Sequence, residues 1–119
     1  MKGNVSEKAR LLHMLDAIRL IQEFTAGLTY EQYMQDMKLR LALVKLLEII
    51  GEAANFVTKD TQNTFTEVEW NTLYVVRNIL VHEYFGINYD IIWQAIIDKI
   101  PTLKIKVESV LQQLSIDNG

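Results

Sequence analysis

The chain has 119 residues, half of them apolar, and carries a formal net charge of −3 at pH 7. This length fits one domain with a core of its own, which we expect to span residues 1–119. The acidic balance argues against a general nucleic-acid coat, because such a protein needs a basic face, but it leaves room for a local cationic site. The absence of cysteine excludes disulfides, thiolate zinc sites and cysteine nucleophiles.

No apolar run in the sequence approaches the roughly 20 residues needed to span a bilayer. The chain does not open with a basic and then apolar leader that ends in a small-residue cleavage site. We therefore expect a cytoplasmic protein that makes no contact with a membrane.

The first half of the chain shows helical periodicity interrupted by capping signals. Residues 4–7 (Asn-Val-Ser-Glu) form a capping-box pattern, which predicts a helix that runs to about Thr25, before Gly27. Thr29 and Gln32 form a second capping box and predict a short helix over residues 30–36. A long helix is expected to follow from about Met37 to Lys59.

Two features of that long helix are informative. Gly51 lies inside it, and a glycine there usually marks the close approach of another helix, because it costs roughly 1 kcal/mol relative to alanine. Glu48 and Glu52 are four residues apart and share a face. They either orient Arg77 or His82 or form a solvated acidic face, and the second interpretation is favoured for at least one of them.

The second half of the chain predicts three more helices. Residues 60–66 form a loop by composition, and the capping box of residues 66–69 predicts the start of a helix that Phe85-Gly86 ends. Asn88 is expected to cap a helix over residues 89–100, and Pro101 fits the first turn of a last helix that runs to about Leu114. In the helix after residue 69, five side chains are expected to face the core: Trp70, Leu73, Val76, Leu80 and Val81.

No segment has the two-residue period of a strand, so the predicted fold class is all-α. We expect a helical bundle with a four-helix core plus one or two short helices.

The candidate site lies between residues 75 and 86, the only stretch that places a fixed cation, an amide, an imidazole and a phenol within eight residues: Arg77, Asn78, His82 and Tyr84. A helix advances about 100° per residue, so Arg77 and His82 point about 140° apart, whereas Asn78 and His82 share a face. Either the helix unwinds near His82, or two copies of the segment meet across a dimer.

These side chains suit the cleavage of a phosphodiester without a metal ion. Histidine can take a proton from a ribose 2′-hydroxyl or return one to the leaving oxygen, and arginine can bind the phosphate as charge builds on it. With two histidines, no cysteine and no Asp/Glu–His cluster, we expect no metal site and no cofactor. The alternative is an arginine in a surface salt bridge and a histidine at the edge of the core, because the two-residue pattern alone is weakly specific.

The pattern Arg77-x-x-x-x-His82-x-Tyr84 resembles the Arg-x4-His-x-Tyr signature of the HepT-like proteins, minimal members of the HEPN superfamily. The resemblance covers nearly the whole chain in the right order. Besides the signature it includes residues 24–29, residues 47–54 (Leu-Glu-Ile-Ile-Gly-Glu-Ala-Ala), Trp70, residues 82–86, Ile92-Trp93 and residues 100–103.

The resemblance implies an HEPN-like helical homodimer in which the two motifs face each other across a cleft. It also implies an RNase toxin, acting on an RNA such as tRNA or mRNA, with an MntA-like nucleotidyltransferase as its antitoxin. Arg77 and His82 inherit the catalytic roles, with Asn78 and Glu52 in support. Tyr84 corresponds to the tyrosine to which the antitoxin attaches AMP.

The chain departs from the family pattern at Glu83, where members commonly have a small residue, and at Glu69, where proline is common. Glu83 places a negative charge beside a site meant for phosphate, which is expected to weaken the binding of RNA. A competing interpretation is therefore a non-catalytic helical dimer that binds and regulates a nucleotidyltransferase. Cleavage of RNA separates the two.

Overall fold

The computed structural model describes the backbone of residues 2–118 and the side chains of residues 7–116. Within this range the chain forms α-helices and one 3-10 helix, without a strand, which confirms the predicted all-α class. The α-helices are α1 (Lys2–Thr25), α2 (Tyr30–Gln35), α3 (Met37–Asn55), α4 (Lys59–Thr64), α5 (Trp70–His82), α6 (Tyr89–Asp98) and α7 (Ile100–Asn118), and the 3-10 helix is Tyr84–Gly86.

The helix starts encoded by neighbouring residues lie where the sequence predicts them. Thr29 and Gln32 form the reciprocal capping box of α2, and the Asn88 side chain accepts the backbone N–H groups of Asp90 and Ile91 at the start of α6. The predicted start of α1 is wrong in position, because the backbone is already helical from Lys2; the side chains of residues 4–6 in that capping box lie outside the described range.

Residues 56–66 do not follow the sequence prediction. The long helix α3 ends at Asn55, and a further helix, α4, occupies most of the predicted loop. The Thr58 side chain caps α4, and the N–H of Thr58 donates to the buried carboxylate of Glu7 in α1, at 2.9 Å. Because Glu7 lies 51 residues away, tertiary structure supports this helix start in addition to the local cap, in which Thr58 accepts the N–H of Thr61.

The capping box predicted at residues 66–69 is also wrong. The motif helix α5 begins at Trp70, and Glu69 occupies its N-cap position without a side-chain capping bond. The Trp70 indole N–H instead donates to the carbonyl oxygen of Phe65 at 2.9 Å, and Phe65 and Val68 are both buried. These buried anchors hold residues 65–70 in a turn that a helix starting at Thr66 would break.

The core lies mainly between α1, α3 and α7. Helix α3 packs on α1 and on α5, while α7 packs on α1 and on α6. Gly51 lies at the contact between α3 and α5, as predicted: a Cβ atom there would lie 2.4 Å from Arg77 Cβ and 2.6 Å from the carbonyl oxygen of Leu73. Only a glycine permits this close approach, which brings Arg77 against α3.

The junction of α2 with α3 and α6 is a buried corner built from Tyr33, Arg40, Tyr89 and Trp93. The Tyr33 hydroxyl donates to the carbonyl oxygen of Tyr89 at 2.8 Å, and the rings of Tyr33 and Trp93 lie 4.8 Å apart. Burial raises the pKa of Tyr33 to about 12. The buried Arg40 guanidinium donates to the carbonyl oxygens of Tyr33 and Met34 at the end of α2.

None of the helices within the described range is long and apolar enough to cross a membrane.

Candidate functional site at the end of α5

The four motif side chains lie on the second half of α5 and on the 3-10 helix that follows it. Helix α5 stays regular through His82, because the N–H of Glu83 donates to the carbonyl oxygen of Ile79 at 2.8 Å. The 3-10 helix begins only at Tyr84. Unwinding at His82, one of the two routes considered from the sequence, is therefore wrong, and Arg77 and His82 lie on different faces of one helix.

The Arg77 guanidinium is held by two neighbours. Its Nε lies 2.7 Å from Oε2 of Glu52 in α3, and its Nη1 donates to Oδ1 of Asn78 at 2.9 Å. A guanidinium has five N–H donors, and these contacts use two of them, so the others can serve a bound anion. The side chain is 27 % exposed, which leaves its charge accessible from solvent.

The two glutamates of α3 separate into different environments. Glu52 pairs with Arg77, whereas Glu48 lies 3.8 Å from the ammonium group of Lys45, a mostly exposed lysine on the same helix. The close approach at Gly51 explains the difference, because it places the adjacent Glu52 within reach of α5. One glutamate thus lies at the candidate site, and the other pairs with a lysine of its own helix; Glu48 is the less exposed of the two, so the solvated acidic face considered from the sequence does not describe it.

His82 is exposed, and within the described part of the chain its imidazole makes no hydrogen bond or ion pair. Both ring nitrogens are therefore accessible to a substrate. Glu83, the residue that departs from the family pattern, is also exposed.

Tyr84 is 48 % exposed and packs edge-on against Phe85, with ring centroids 5.4 Å apart. Its hydroxyl makes no hydrogen bond to the described residues, in contrast to that of Tyr33. Phe85 itself is fully exposed. An accessible phenol and an unburied phenyl ring thus stand side by side at the end of the motif helix.

The face of α5 around these residues is apolar but open. Trp70 and Leu80 are buried and Leu73 is partly buried, as predicted, whereas Val76 and Val81 are 37 % and 40 % exposed, so placing them in the core was wrong. The reason is that α5 packs mainly on α3, and a single neighbour buries a narrower stripe than a bundle interior would. The side chains left exposed are Tyr74, Val75, Val76, Ile79 and Val81.

A second feature, not predicted from the sequence, is a cleft of about 400 Å³ beside α5. It separates the α3–α5 pair from the α6–α7 pair, and Leu47 and Ile50 of α3 form its floor. Its walls come from Glu69 and the first half of α5, from one face of α6, and from the start of α7. Helical periodicity gives no signal for it, because the cleft arises from how the two pairs diverge.

Among the residues that the structure describes, no three histidine, aspartate or glutamate side chains lie together in a group that could hold a metal ion.

The sequence of this chain matches a known protein family. The family model "Ribonuclease HepT-like" matches residues 14–110, and the chain belongs to this family. The sequence is 36 % identical over 103 residues to "Putative RNase MJ1380" of Methanocaldococcus jannaschii, covering 87 % of this chain and 94 % of that protein.

Two further relatives have similar coverage. The chain is 38 % identical over 103 residues to "Putative RNase TTE0752" of Caldanaerobacter subterraneus, which is 87 % of this chain and 92 % of that protein. It is 35 % identical over 105 residues to "Probable ribonuclease HepT" of Thermococcus cleftensis, which is 88 % of this chain and 96 % of that protein. No solved structure matches the chain significantly.

Proposed function

We propose that this protein is a metal-independent endoribonuclease and the toxin of a toxin–antitoxin pair. The observation that carries the proposal is an arginine fixed by Glu52 and Asn78 on the same helix end as an exposed histidine. Membership of the ribonuclease HepT-like family and the names of the relatives support an RNA substrate, such as tRNA or mRNA.

The proposed reaction is attack by a ribose 2′-oxygen on the adjacent phosphorus. His82 takes the 2′-hydroxyl proton, the new P–O bond forms as the bond to the 5′-oxygen breaks, and a protonated imidazole returns a proton to that leaving oxygen. Arg77 stabilises the negative charge that builds on the phosphoryl oxygens, while Glu52 and Asn78 keep its guanidinium in place. The products are a 2′,3′-cyclic phosphate and a free 5′-hydroxyl.

We propose a homodimer as the form that acts. Arg77 and His82 point about 140° apart on a regular helix, so one copy alone does not place both on the same phosphate. A second copy, with its own α5 facing the first, brings an arginine and a histidine together. Two His82 residues in one cleft then supply the acid and the base of the reaction.

The proposed regulation is the attachment of AMP to Tyr84 by an MntA-like nucleotidyltransferase antitoxin. The phenol is accessible, being 48 % exposed, and makes no hydrogen bond to the described residues. AMP on this oxygen adds bulk and a negative charge beside His82, which opposes the entry of an RNA phosphate. Tyr84→Phe is therefore expected to remain toxic to cells and to resist the antitoxin; neutralisation of this variant by AMP attachment would contradict the assignment.

The test of the activity is incubation of the protein with total RNA and with tRNA in the presence of EDTA. Mass spectrometry first establishes that the protein carries no AMP. The chain has two histidines, and His13 is also exposed, on α1, so His13→Ala is a matched control for His82→Ala.

We expect the wild type and His13→Ala to cleave RNA and to leave 2′,3′-cyclic phosphate ends, and His82→Ala to be inactive. All three should show equal helical content. Cleavage by His82→Ala would overturn the mechanism. No cleavage by the unmodified wild type would favour the non-catalytic regulator, for which the exposed Glu83 and the acidic net charge are the supporting features.

A further inference from the structure

Phe85 is the most exposed large apolar side chain of the described residues, at 100 % relative exposure. It projects from the 3-10 helix directly after the motif helix, and the preceding α5 exposes Val75 and Ile79 on one face. A contiguous exposed apolar surface of this kind marks an interaction site more often than isolated apolar residues do. Phe85 adds a protruding aromatic ring, the type of side chain that anchors interfaces.

The same chain contains a cleft that can accommodate such a ring. The cleft beside α5 has an apolar floor, and its volume of about 400 Å³ exceeds the roughly 150 Å³ in which a protein cavity accommodates a benzene molecule. Four charged residues line it, and they balance: Glu69 and Asp98 against Lys99 and Lys106. An uncharged aromatic side chain therefore fits the cleft without an uncompensated charge.

Two-fold symmetry matches the ring to the cleft. An axis perpendicular to α5 pairs the helix antiparallel with its own copy, so that each residue faces the one at an equal distance on the other side of the axis. An axis between Asn78 and Ile79, in the middle of the exposed face, places His82, the last residue of α5, opposite Val75. The 3-10 helix that carries Phe85 then follows towards the start of the partner's α5, where Thr72 lies. Thr72 lines the cleft.

Electrostatics favours a second copy over a charged partner. The whole chain carries a net charge of −3, which opposes self-association in general. Yet α5 contains a single fixed charge, that of Arg77, and Glu52 already pairs with it. Two α5 faces therefore approach each other without contact between like charges.

We propose that Phe85 of one copy inserts into the cleft beside α5 of a second copy, and that this contact sets the alignment of the two α5 helices in the dimer. The inference rests on the homodimer of the proposed function and deepens it. In this register His82 of the second copy faces Val75, whereas Arg77 lies about 200° round the helix from Val75, on the side that packs against Gly51 of α3. The docking of Phe85 thus fixes how the two α5 helices align.

Cross-linking between introduced cysteines tests the register, because the natural sequence has no cysteine that could react as well. The double variant Gly86→Cys/Asn71→Cys places its cysteines next to Phe85 and Thr72 and keeps the Phe85 ring. It is treated with a short bismaleimide, and the product is separated under denaturing conditions. We expect a covalent dimer from this double variant and also from Ile79→Cys, which lies next to the axis. The matched control Gly86→Cys/Leu12→Cys, with its second cysteine on the exposed face of α1, should stay unlinked.

A second variant measures the contribution of the ring. Phe85→Ala should weaken dimerisation at least about tenfold in analytical ultracentrifugation. It cannot act through the monomer core, since the side chain is fully exposed there. The control Ile116→Ala removes an exposed apolar side chain from α7 and should leave the dimer unchanged.

The outcomes separate this inference from the proposed function. A wild-type dimer that cleaves RNA, together with no link between positions 86 and 71 or equal links in the control, would overturn the register and leave the ribonuclease in place. A monomeric wild type would overturn the inference and the homodimer together. Specific links in a dimer that cleaves no RNA would support the inference and contradict the ribonuclease.

Discussion

The buried corner of α2, α3 and α6 and the end of α5 contain the same types of side chain in opposite circumstances. In the corner, Arg40 is 92 % buried and donates to backbone carbonyl oxygens, and the Tyr33 hydroxyl is fully enclosed. At the end of α5, Arg77 is partly exposed and held by side chains, and the Tyr84 hydroxyl faces solvent.

The difference shows where the chain uses polar groups for folding and where it keeps them accessible. Arg40 has no carboxylate partner among the described residues, and its Nε makes no hydrogen bond there, so its role is to satisfy the end of α2. The groups at the end of α5 have few partners, and apolar surface surrounds them. A functional site requires polar groups that a substrate can reach, and the buried corner around Arg40 offers none.

The largest expected effect is on catalysis at Arg77. Arg77→Met keeps most of the aliphatic packing against Gly51 but removes the cation, so the rate of RNA cleavage should fall by about 10²–10³. The unfolding free energy should change by less than about 1 kcal/mol, because the ion pair with Glu52 is partly exposed. Single-turnover cleavage and urea denaturation measure the two effects. An Arg77→Met variant that is clearly destabilised but whose folded fraction cleaves RNA at the wild-type rate would reverse the roles of Arg77 and Arg40.

Arg40→Met should show the opposite behaviour. It removes the guanidinium donor from the carbonyl oxygens of Tyr33 and Met34, of which the first keeps the N–H of Asp36, and we expect the unfolding free energy to fall by about 2 kcal/mol. Cleavage by the folded fraction should stay at the wild-type rate. Arg19→Met, at an exposed position of α1, is the control and should lie within about 0.5 kcal/mol of the wild type.

Gly51→Ala tests whether close helix packing positions Arg77. The added Cβ would meet Arg77 Cβ at 2.4 Å, an overpacking that costs about 1–3 kcal/mol and is only partly offset by the higher helix propensity of alanine. We expect a net destabilisation of about 1 kcal/mol together with slower cleavage. Gly86→Ala meets no atom within 4 Å and should have no comparable effect on stability. Equal stability of Gly51→Ala and the wild type would argue against the close approach.

Tyr33→Phe is expected to have the smallest effect, because it removes a single hydrogen bond. Loss of the hydrogen bond to the Tyr89 carbonyl should lower the unfolding free energy by about 1 kcal/mol. Because the pKa of Tyr33 is raised to about 12 in the folded state, the wild type should lose stability as the pH rises from 10 to about 12, where the unfolded chain releases the proton first. The variant should lose less over this interval. Tyr74→Phe, at an exposed position, should behave as the wild type does.

Local signals account for the parts of the fold that the sequence predicts correctly. Thr29 and Asn88 cap their helices through neighbouring backbone groups, and the apolar stripes of the long helices define the all-α class. The errors occur where distant residues intervene. Glu7 supports the cap of α4 from 51 residues away, and the buried turn around Trp70 overrides the capping box at Thr66.

At the candidate site, too, the features with a local signal are predictable, and those that depend on contacts between distant residues are not. The motif residues are identifiable from spacing and residue type, and Gly51 correctly signals a close helix contact. Periodicity does not reveal that Glu52 rather than Glu48 reaches Arg77, since this depends on how α3 and α5 approach each other. Nor does it show that α5 has one main packing neighbour, which leaves Val76 and Val81 exposed.

Mixing two inactive variants tests most directly whether Arg77 and His82 act together across a dimer. Arg77→Gln and His82→Ala are combined, dissociated and allowed to reassociate, and the cleavage of RNA is measured in EDTA. Half of the dimers are then mixed, and each contains one complete pair, with Arg77 from one chain and His82 from the other. We expect measurable activity to return, at most about a quarter of that of the wild type, because each mixed dimer has one complete Arg77–His82 pair and lacks the second His82. A mixture that forms mixed dimers by mass but stays as inactive as its components would contradict a site shared between two copies.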